Sequence, residues 1–273
     1  MKQQFVIIFL AAFIVQSFCA SAQKHIGIAY YDIDRLYDTI PALFYDDMDF
    51  TPNGKLQWNT ERYERKIRHT AAVIDSMHMT LVAVAGVETE QVVRDLTAAC
   101  HEEYCYLHRT LNGFDGLDIA LLYYGDRFYP TATDEGRGWI YVEGELDGNE
   151  IGILLCNNAR YATEAVHDCR AKYPSRPLLA AGRFNSTHSA KYGLEDAHTR
   201  AEKMGRGNIR YRDGWRIRER ILVDTAIYHY AADIYARDWL MDKQGATPLP
   251  TYQRTTYLGG YGRTLPVFTY LHF

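Results

Sequence analysis

Two groups of side chains stand out for the chemistry they can do. Asp46, Asp47 and Asp49 put three carboxylates within four positions, and hard cations are bound by oxygen ligands of this type. The spacing is not that of an EF-hand loop, so the cluster reads as an acidic loop rather than a calcium site. Arg216, Arg218 and Arg220 alternate, and on a strand alternate residues share one face. With Arg210 and Arg212 they form a local basic patch suited to phosphate or carboxylate. The same pattern also fits a solvated edge strand protected by its charge.

The hydrophobic pattern predicts the elements that must position such groups. Residues 25–33 read as a mostly apolar strand, and 46–54 as a polar loop. Thr60 is placed to cap a helix running to about Met77, with Tyr63, Ile67, Ala71 and Ile74 on one face. Residues 81–87 form a short buried strand, followed by a helix over 90–100. Strands are expected at 117–124, 139–145, 151–156, 177–182, 221–223, 227–230 and 266–271, with one more helix near 163–172. Strands first alternate with helices and then dominate. The expected architecture is one α/β domain, a four-layer sandwich with two packed mixed β-sheets and outer helices.

Composition agrees with that class. A hydrophobic fraction of 47% and a charged fraction of 23% exclude disorder, collagen and coiled coil. The 22 tyrosines suit a strand-rich protein, although exposed aromatics also stack on sugars or bases. Thirty basic against 34 acidic residues give −4, so any attraction for phosphate must be local. Met1-Lys2, an apolar run over 5–15 and Ala20-Ser21-Ala22 make a signal-peptide pattern over 1–22. The expected mature domain is 23–273, exported to the periplasm or the exterior, without a transmembrane segment and at −5 once Lys2 is lost. Cys100, Cys105, Cys156 and Cys169 then remain. An oxidising compartment permits disulfides among them, in any of about three pairings.

The order of short motifs resembles the endonuclease/exonuclease/phosphatase family, with the deoxyribonuclease-I-like fold, in its secreted bacterial branch. YDIDRLYDT (31–39) is similar to Y-N-V-E-N-L-F-D-T, and the stretch 46–67 to that branch's acidic loop and first helix. AGVETEQVVRDL (85–96) is similar to C-E-V-E-N-x-x-V-L-x-D-L, and GLDIALLY (116–123) to G-I-D-V-A-L-L-Y. AAGRFNS (180–186) resembles the G-D-F-N motif. YRDGWRIRERILV (211–223) and YLGGYGRTLPV (257–267) resemble Y-x-G-x-W-x-x-I-D-Q-x-x-V and Y-x-G-G-Y-S-D-H-L-P-V. The resemblance covers nearly all of the mature chain. It implies metal-assisted phosphoester hydrolysis, with carboxylates holding a divalent ion and an Asp orienting water.

Carried over position by position, that machinery is largely substituted. The metal-site Asn falls on Asp32, and the principal Glu ligand on Gly86, which has no side chain. Glu88 follows on the same face, but one pleat, about 7 Å, further along. The Asn-His pair falls on Cys156-Asn157, the catalytic Asp on Arg183, the following Asn on Asn185, a later Asp on Glu219, and Ser-Asp-His on Gly262-Arg263-Thr264. A cation about 4 Å from an arginine meets roughly 4 kcal/mol of repulsion near a protein surface. Arginine cannot act as a base near neutral pH. No cofactor is therefore expected, and any residual metal site would rest on Asp32 and Glu219.

The resemblance with these substitutions implies an inactive binding protein with a vestigial cleft. There Arg183, Arg263 and Asn185 bind an anionic or phosphorylated ligand, or the arginines simply pair with Asp32, Asp34, Glu88 or Glu219. The alternative is a Mg²⁺- or Mn²⁺-dependent phosphodiesterase, a nuclease or phosphatase, with a modified site. His188, three residues after Asn185, and the Cys156 thiol are weaker candidates for base and nucleophile. All these family positions are expected around one cleft. Reinstating Glu at 86 together with Asp at 183 is expected to raise Mg²⁺ affinity.

Overall fold

The computed structural model describes residues 25–111 and 113–273; the expected leader, residues 1–22, lies outside the described residues. Along the chain run β1 (Ile26–Leu36), α1 (Thr60–Met77), β2 (Leu81–Val87), α2 (Glu90–Ala99), β3 (Tyr104–Arg109), β4 (Asp118–Tyr124) and β5 (Phe128–Gly136). Next come β6 (Trp139–Leu146), β7 (Asn149–Cys156), α3 (Ala162–Lys172), β8 (Leu178–Gly182), α4 (Ser186–Tyr192), β9 (Leu194–Asp196) and α5 (Thr199–Lys203). The last third is β10 (Ile209–Tyr211), β11 (Gly214–Arg216), β12 (Arg220–Asp224), β13 (Tyr228–Ile234), β14 (Tyr252–Gln253), β15 (Thr256–Tyr257) and β16 (Val267–His272).

Two six-stranded mixed sheets carry the fold. One has the order β13-β16-β1-β2-β4-β3 and the other β5-β6-β7-β8-β12-β9. Only β1–β2 and β7–β8 pair in parallel among the large-sheet neighbours; the other neighbours are antiparallel. Alternation along β7 shows the layering. Ile153 and Leu155 join the main core with Ile28, Tyr30 and Ala83. Leu154 and Cys156 point the other way, into a second cluster with Ala165, Val166 and Cys169 of α3. Every second residue of a strand facing one layer is what the pleat dictates. α1 packs on β1 and α2, and α3 covers β6 and β7, which gives the expected α/β sandwich.

The long helices follow their apolar spacing, with one correction at a cap. Asn59, not Thr60, caps α1, its side chain accepting from the Arg62 N–H. Thr89 does the same for α2. The four cysteines are free. Among the described residues no helix is long and apolar enough to cross a membrane.

Tyr30 lies in the main core, so substituting it tests the packing between the sheets. Its hydroxyl donates to Cys156 O across the two sheets at 3.3 Å. Tyr30→Ala empties a fully buried aromatic volume and is expected to cost about 3–5 kcal/mol, measured by chemical denaturation. A loss below about 1 kcal/mol contradicts the layering.

Candidate functional site

Asp32 is placed by the period of β1. It sits two residues after Tyr30 and shares its inward face, at the end of the strand where the two sheets open into a cleft. The opposite wall is made by the end of β8. Gly182 has φ +136, and a Cβ there would lie 1.9 Å from Cys156 O, so only glycine lets the chain pass. The turn closes with the Arg183 N–H donating to Cys156 O at 2.8 Å. Arg220 pairs with Gly182 in register, which puts Glu219 just beyond the sheet, next to Arg183.

Four side chains meet there. Arg183 Nη2 donates to Asp32 Oδ2 at 2.7 Å, and Arg218 Nη2 donates to the same oxygen at 2.9 Å. Arg218 Nε also donates to Glu219 Oε1, while Arg183 Nε lies 3.7 Å from that oxygen. Asn208 donates to the second Glu219 oxygen. Glu219 is 1% exposed. Burial pushes its carboxyl above the usual range, Arg218 opposes this, and the Asp32 charge adds to it. Burial works against the charged form of Arg183, but Asp32 and Glu219 outweigh it and raise its affinity for the proton.

A second set of charges surrounds Asp34, which takes φ +69 where the β1–β2 register shifts. Its N–H donates to Asp32 Oδ1 at 3.0 Å. Arg263 Nε lies 3.2 Å from Asp34 Oδ2, and Arg35 Nε 3.8 Å from Oδ1. Behind them the buried Lys66 donates to Thr251 Oγ1 at 2.8 Å and Tyr261 O at 2.6 Å. Burial lowers its ammonium to about 8, against the pull of Asp34 and Asp32.

The cleft above these groups holds about 460 Å³ and is lined by Asp32, Asp34, Gly86, Asn157, Arg183 and, on its far side, Arg137, Asn158 and Tyr161. Arg137 stands in the two-residue turn between β5 and β6 and makes no hydrogen bond or ion pair among the described residues. The Asn157 N–H donates to Gly138 O at 3.0 Å, which holds that turn against the Asn157 loop. Asn157 Nδ2 reaches Leu117 O at 3.4 Å.

Other positions expected in the cleft lie elsewhere. Asn185 does not line it; the Asn185 side-chain oxygen accepts from the Thr187 N–H at 3.2 Å at the start of α4. Glu219 lies below Arg183, and Arg263 reaches Asp34 from outside the cleft. Thr264 is buried, and its Oγ1 has no partner among the described residues. Glu88 is not a displaced ligand either. Gly86 forms an irregularity between Ala85 and Val87 that breaks strand alternation. Glu88 instead accepts from the Asp38 N–H at 2.6 Å and the Tyr45 hydroxyl at 3.0 Å. Cys156 is buried, and burial pushes its thiol up to about 11, so it is no nucleophile at neutral pH. His188 is carried on α4.

The basic patch read from 210–220 also dissolves. β11 ends at Arg216 and β12 begins at Arg220, so no single strand aligns the three arginines. Arg216 pairs with Asp213, Arg218 enters the cleft network, and Arg220 is buried between Asp196 and Glu202. Arg137 is not singled out by the sequence, and Arg218 is read there only as part of the basic patch and not as a partner of Asp32. Arg218 was hidden inside a presumed exposed patch, and Arg137 in a turn with no motif around it.

The family's divalent ion does not fit this donor set. A hard cation needs converging oxygens free of other cations. Gly86 supplies none, and both Asp32 and Glu219 already accept from guanidinium groups. Among the described residues no group of three or more His, Cys, Asp or Glu side chains is arranged to hold a metal.

Comparison with known proteins places this geometry. A family model described as Endonuclease/Exonuclease/phosphatase family matches residues 27–187, more than half of the chain. No curated protein matches the sequence. Among solved structures, a mannosyl-6-phosphatase of Bacteroides thetaiotaomicron superposes with a TM-score of 0.60 at 11% identity, covering 91% of this chain and 100% of that one. An endonuclease/exonuclease/phosphatase protein of Bacteroides vulgatus gives 0.58 at 12% identity, covering 92% and 99%. D. rerio TDP2 complexed with a single-strand DNA product gives 0.57 at 10%, covering 92% and 100%. At these identities the likeness is one of fold.

Two outcomes follow from the local geometry. Gly86 has φ +93, and a Cβ there would lie 2.3 Å from Asp34 O. Gly86→Glu is therefore expected to destabilise the protein rather than restore a ligand, correcting the sequence-based expectation for position 86. Left-handed strain alone is about 1–2 kcal/mol. A melting temperature lowered by at least about 4 °C is expected, and an unchanged one contradicts the geometry. The second concerns pH. Burial raises the Glu88 carboxyl from 4.5 to about 7, with the Asp38 and Asp47 charges adding and the bonds from Asp38 and Tyr45 opposing. A raised folded value means the contribution is complete below pH 4.5 and is lost as pH rises through 7. Glu88→Gln should flatten stability across that window in denaturant titrations at successive pH values; an unchanged slope contradicts the shift.

Proposed function

We propose that this chain, which belongs to the endonuclease/exonuclease/phosphatase family, is an exported binding member of it that recognises an anionic group without hydrolysing phosphoesters. The observation that carries the reading is the double engagement of Asp32 by Arg183 and Arg218, with Arg218 also on Glu219. Hydrolysis in this family rests on a metal that polarises phosphate and an acid that orients water. In this chain the acids at two family positions, Asp32 in place of an Asn and Glu219 in place of an Asp, already neutralise arginines, and Arg183 stands where the water-orienting acid would be. Neither step has a group to perform it, so the protein needs no Mg²⁺ or Mn²⁺.

Recognition of an anion falls to Arg137. It lines the cleft with a guanidinium that has no partner among the described residues, and Arg183 across from it is partly exposed. A fork of donors suits a phosphate or carboxylate in a bidentate pair. Asn158 and Tyr161 beside it suit the hydroxyls and ring face of a sugar. Since one structural neighbour is named a mannosyl-6-phosphatase, a sugar phosphate is the first ligand to test. Export rests on the leader pattern of residues 1–22.

Calorimetric titration with mannose 6-phosphate, mannose and inorganic phosphate, in parallel with a phosphodiester turnover assay in Mg²⁺ and Mn²⁺, tests the reading. Binding of a phosphorylated ligand is expected, weakened at least tenfold by Arg137→Ala, with no turnover above buffer. Robust Mg²⁺-dependent turnover abolished by Asp32→Asn, which removes the cleft carboxylate, would overturn it and restore the enzyme. Absence of binding to every anion would remove the recognition role.

A further inference from the structure

Leu43 and Phe44 stand 90% and 94% exposed at the tip of the segment joining β1 to α1. Ile40 and Met48 on either side are exposed as well, and Phe114, in the segment before β4, lies wholly in solvent. Single exposed apolar side chains are ordinary, but a cluster of large ones marks a contact surface. The two segments are tied together. The Tyr37 hydroxyl donates to Asp115 O at 2.8 Å, and the Tyr45 ring lies directly against Gly116.

The exposure is built into the loop by its anchors. The Trp58 indole N–H donates to Tyr37 O at 2.9 Å, and Phe50 packs in the core with its ring 4.4 Å from that of Tyr37. Glu88 holds the Asp38 N–H and the Tyr45 hydroxyl, and the buried Asp47 accepts from the Ala42 N–H at 3.0 Å. Both shoulders are thus fixed by buried groups, and the tip between them is held away from the core. A protruding pair of this kind fills a concave surface rather than offering one.

The charge around the tip selects what that surface carries. From Leu36 to Gly54 every charged residue is an acid: Asp38, Asp46, Asp47 and Asp49. Asp46, Asp49 and, beside Phe114, Asp115 are exposed. We infer that this loop, with Phe114, is a docking surface for a partner protein that presents an apolar socket bordered by lysine or arginine. Interfaces combine a buried apolar anchor with complementary rim charges. A symmetric pair of copies would set acid against acid across the same patch. An anionic membrane surface would repel these acids.

Phe114 and Asp115 also border the cleft, whereas Leu43 and Phe44 lie outside it, so the test is made at position 44 in the full-length protein. p-Benzoylphenylalanine placed at position 44 is photo-activated in the native host, and the cross-linked peptide is identified by mass spectrometry. A single main protein adduct is expected, its cross-linked peptide flanked by lysine or arginine. Its yield should fall at least tenfold in the double variant Asp46→Lys, Asp49→Lys, with the melting temperature unchanged. Leu43→Ser serves as a second variant with the same expected loss, should the double variant fail to fold. No adduct, an adduct to a second copy or to lipid, or a yield indifferent to both variants overturns the inference.

Discussion

One buried carboxylate organises this molecule's functional end. Asp32 is fixed by the pleat of β1, and it accepts hydrogen bonds from two guanidinium groups on a single oxygen. A buried carboxylate without partners is costly, so each arginine offsets the desolvation of the acid. Arg218 extends the arrangement to Glu219, which is itself almost wholly buried. Two acids and two arginines therefore close on each other with no net charge. Removing one member of such a set leaves an uncompensated charge, at a cost of about 3–5 kcal/mol. A divalent ion would have to displace those guanidinium groups before it met Asp32 Oδ2 or Glu219 Oε1.

The backbone around this network positions it. Gly182 lets β8 turn hard against Cys156 O, and that turn delivers Arg183 to Asp32. On the other wall, Gly86 leaves room for Asp34 O, where any side chain would collide. Asp34, turned by its positive φ, is covered by Arg263 and Arg35. A single reverted side chain would meet both charge and steric opposition. Arg137 lies outside this closed set and, among the described residues, lines the cleft without a hydrogen bond or ion pair of its own.

The elements with strong periodicity were legible in the sequence. The helix ending at Met77 and the strand over 81–87 agree with α1 and β2, because long amphipathic or apolar runs have few alternatives. Edge strands β3 and β5 were missed, since their half-exposed residues lack a clean apolar alternation. In the site, Asp32, Arg183 and Glu219 lie side by side, because each is flanked by strand residues that fix its register. Arg218 was misplaced because a strand was assumed to run through 216–220, where the chain instead breaks between β11 and β12. Asn185 lies at a helix start, where its side-chain oxygen accepts from the Thr187 N–H.

The proposed reading rests on guanidinium groups holding Asp32 and Glu219, the acids at which the family resemblance implies any residual metal would sit. A crystal structure of the unmodified protein grown in excess Mn²⁺, with data collected at the manganese absorption edge, tests it most directly. The account predicts no anomalous peak between Asp32 and Glu219, with Arg183 and Arg218 still on both carboxylates. An ordered manganese ligated by Asp32 and Glu219, with the arginines swung aside, would contradict it.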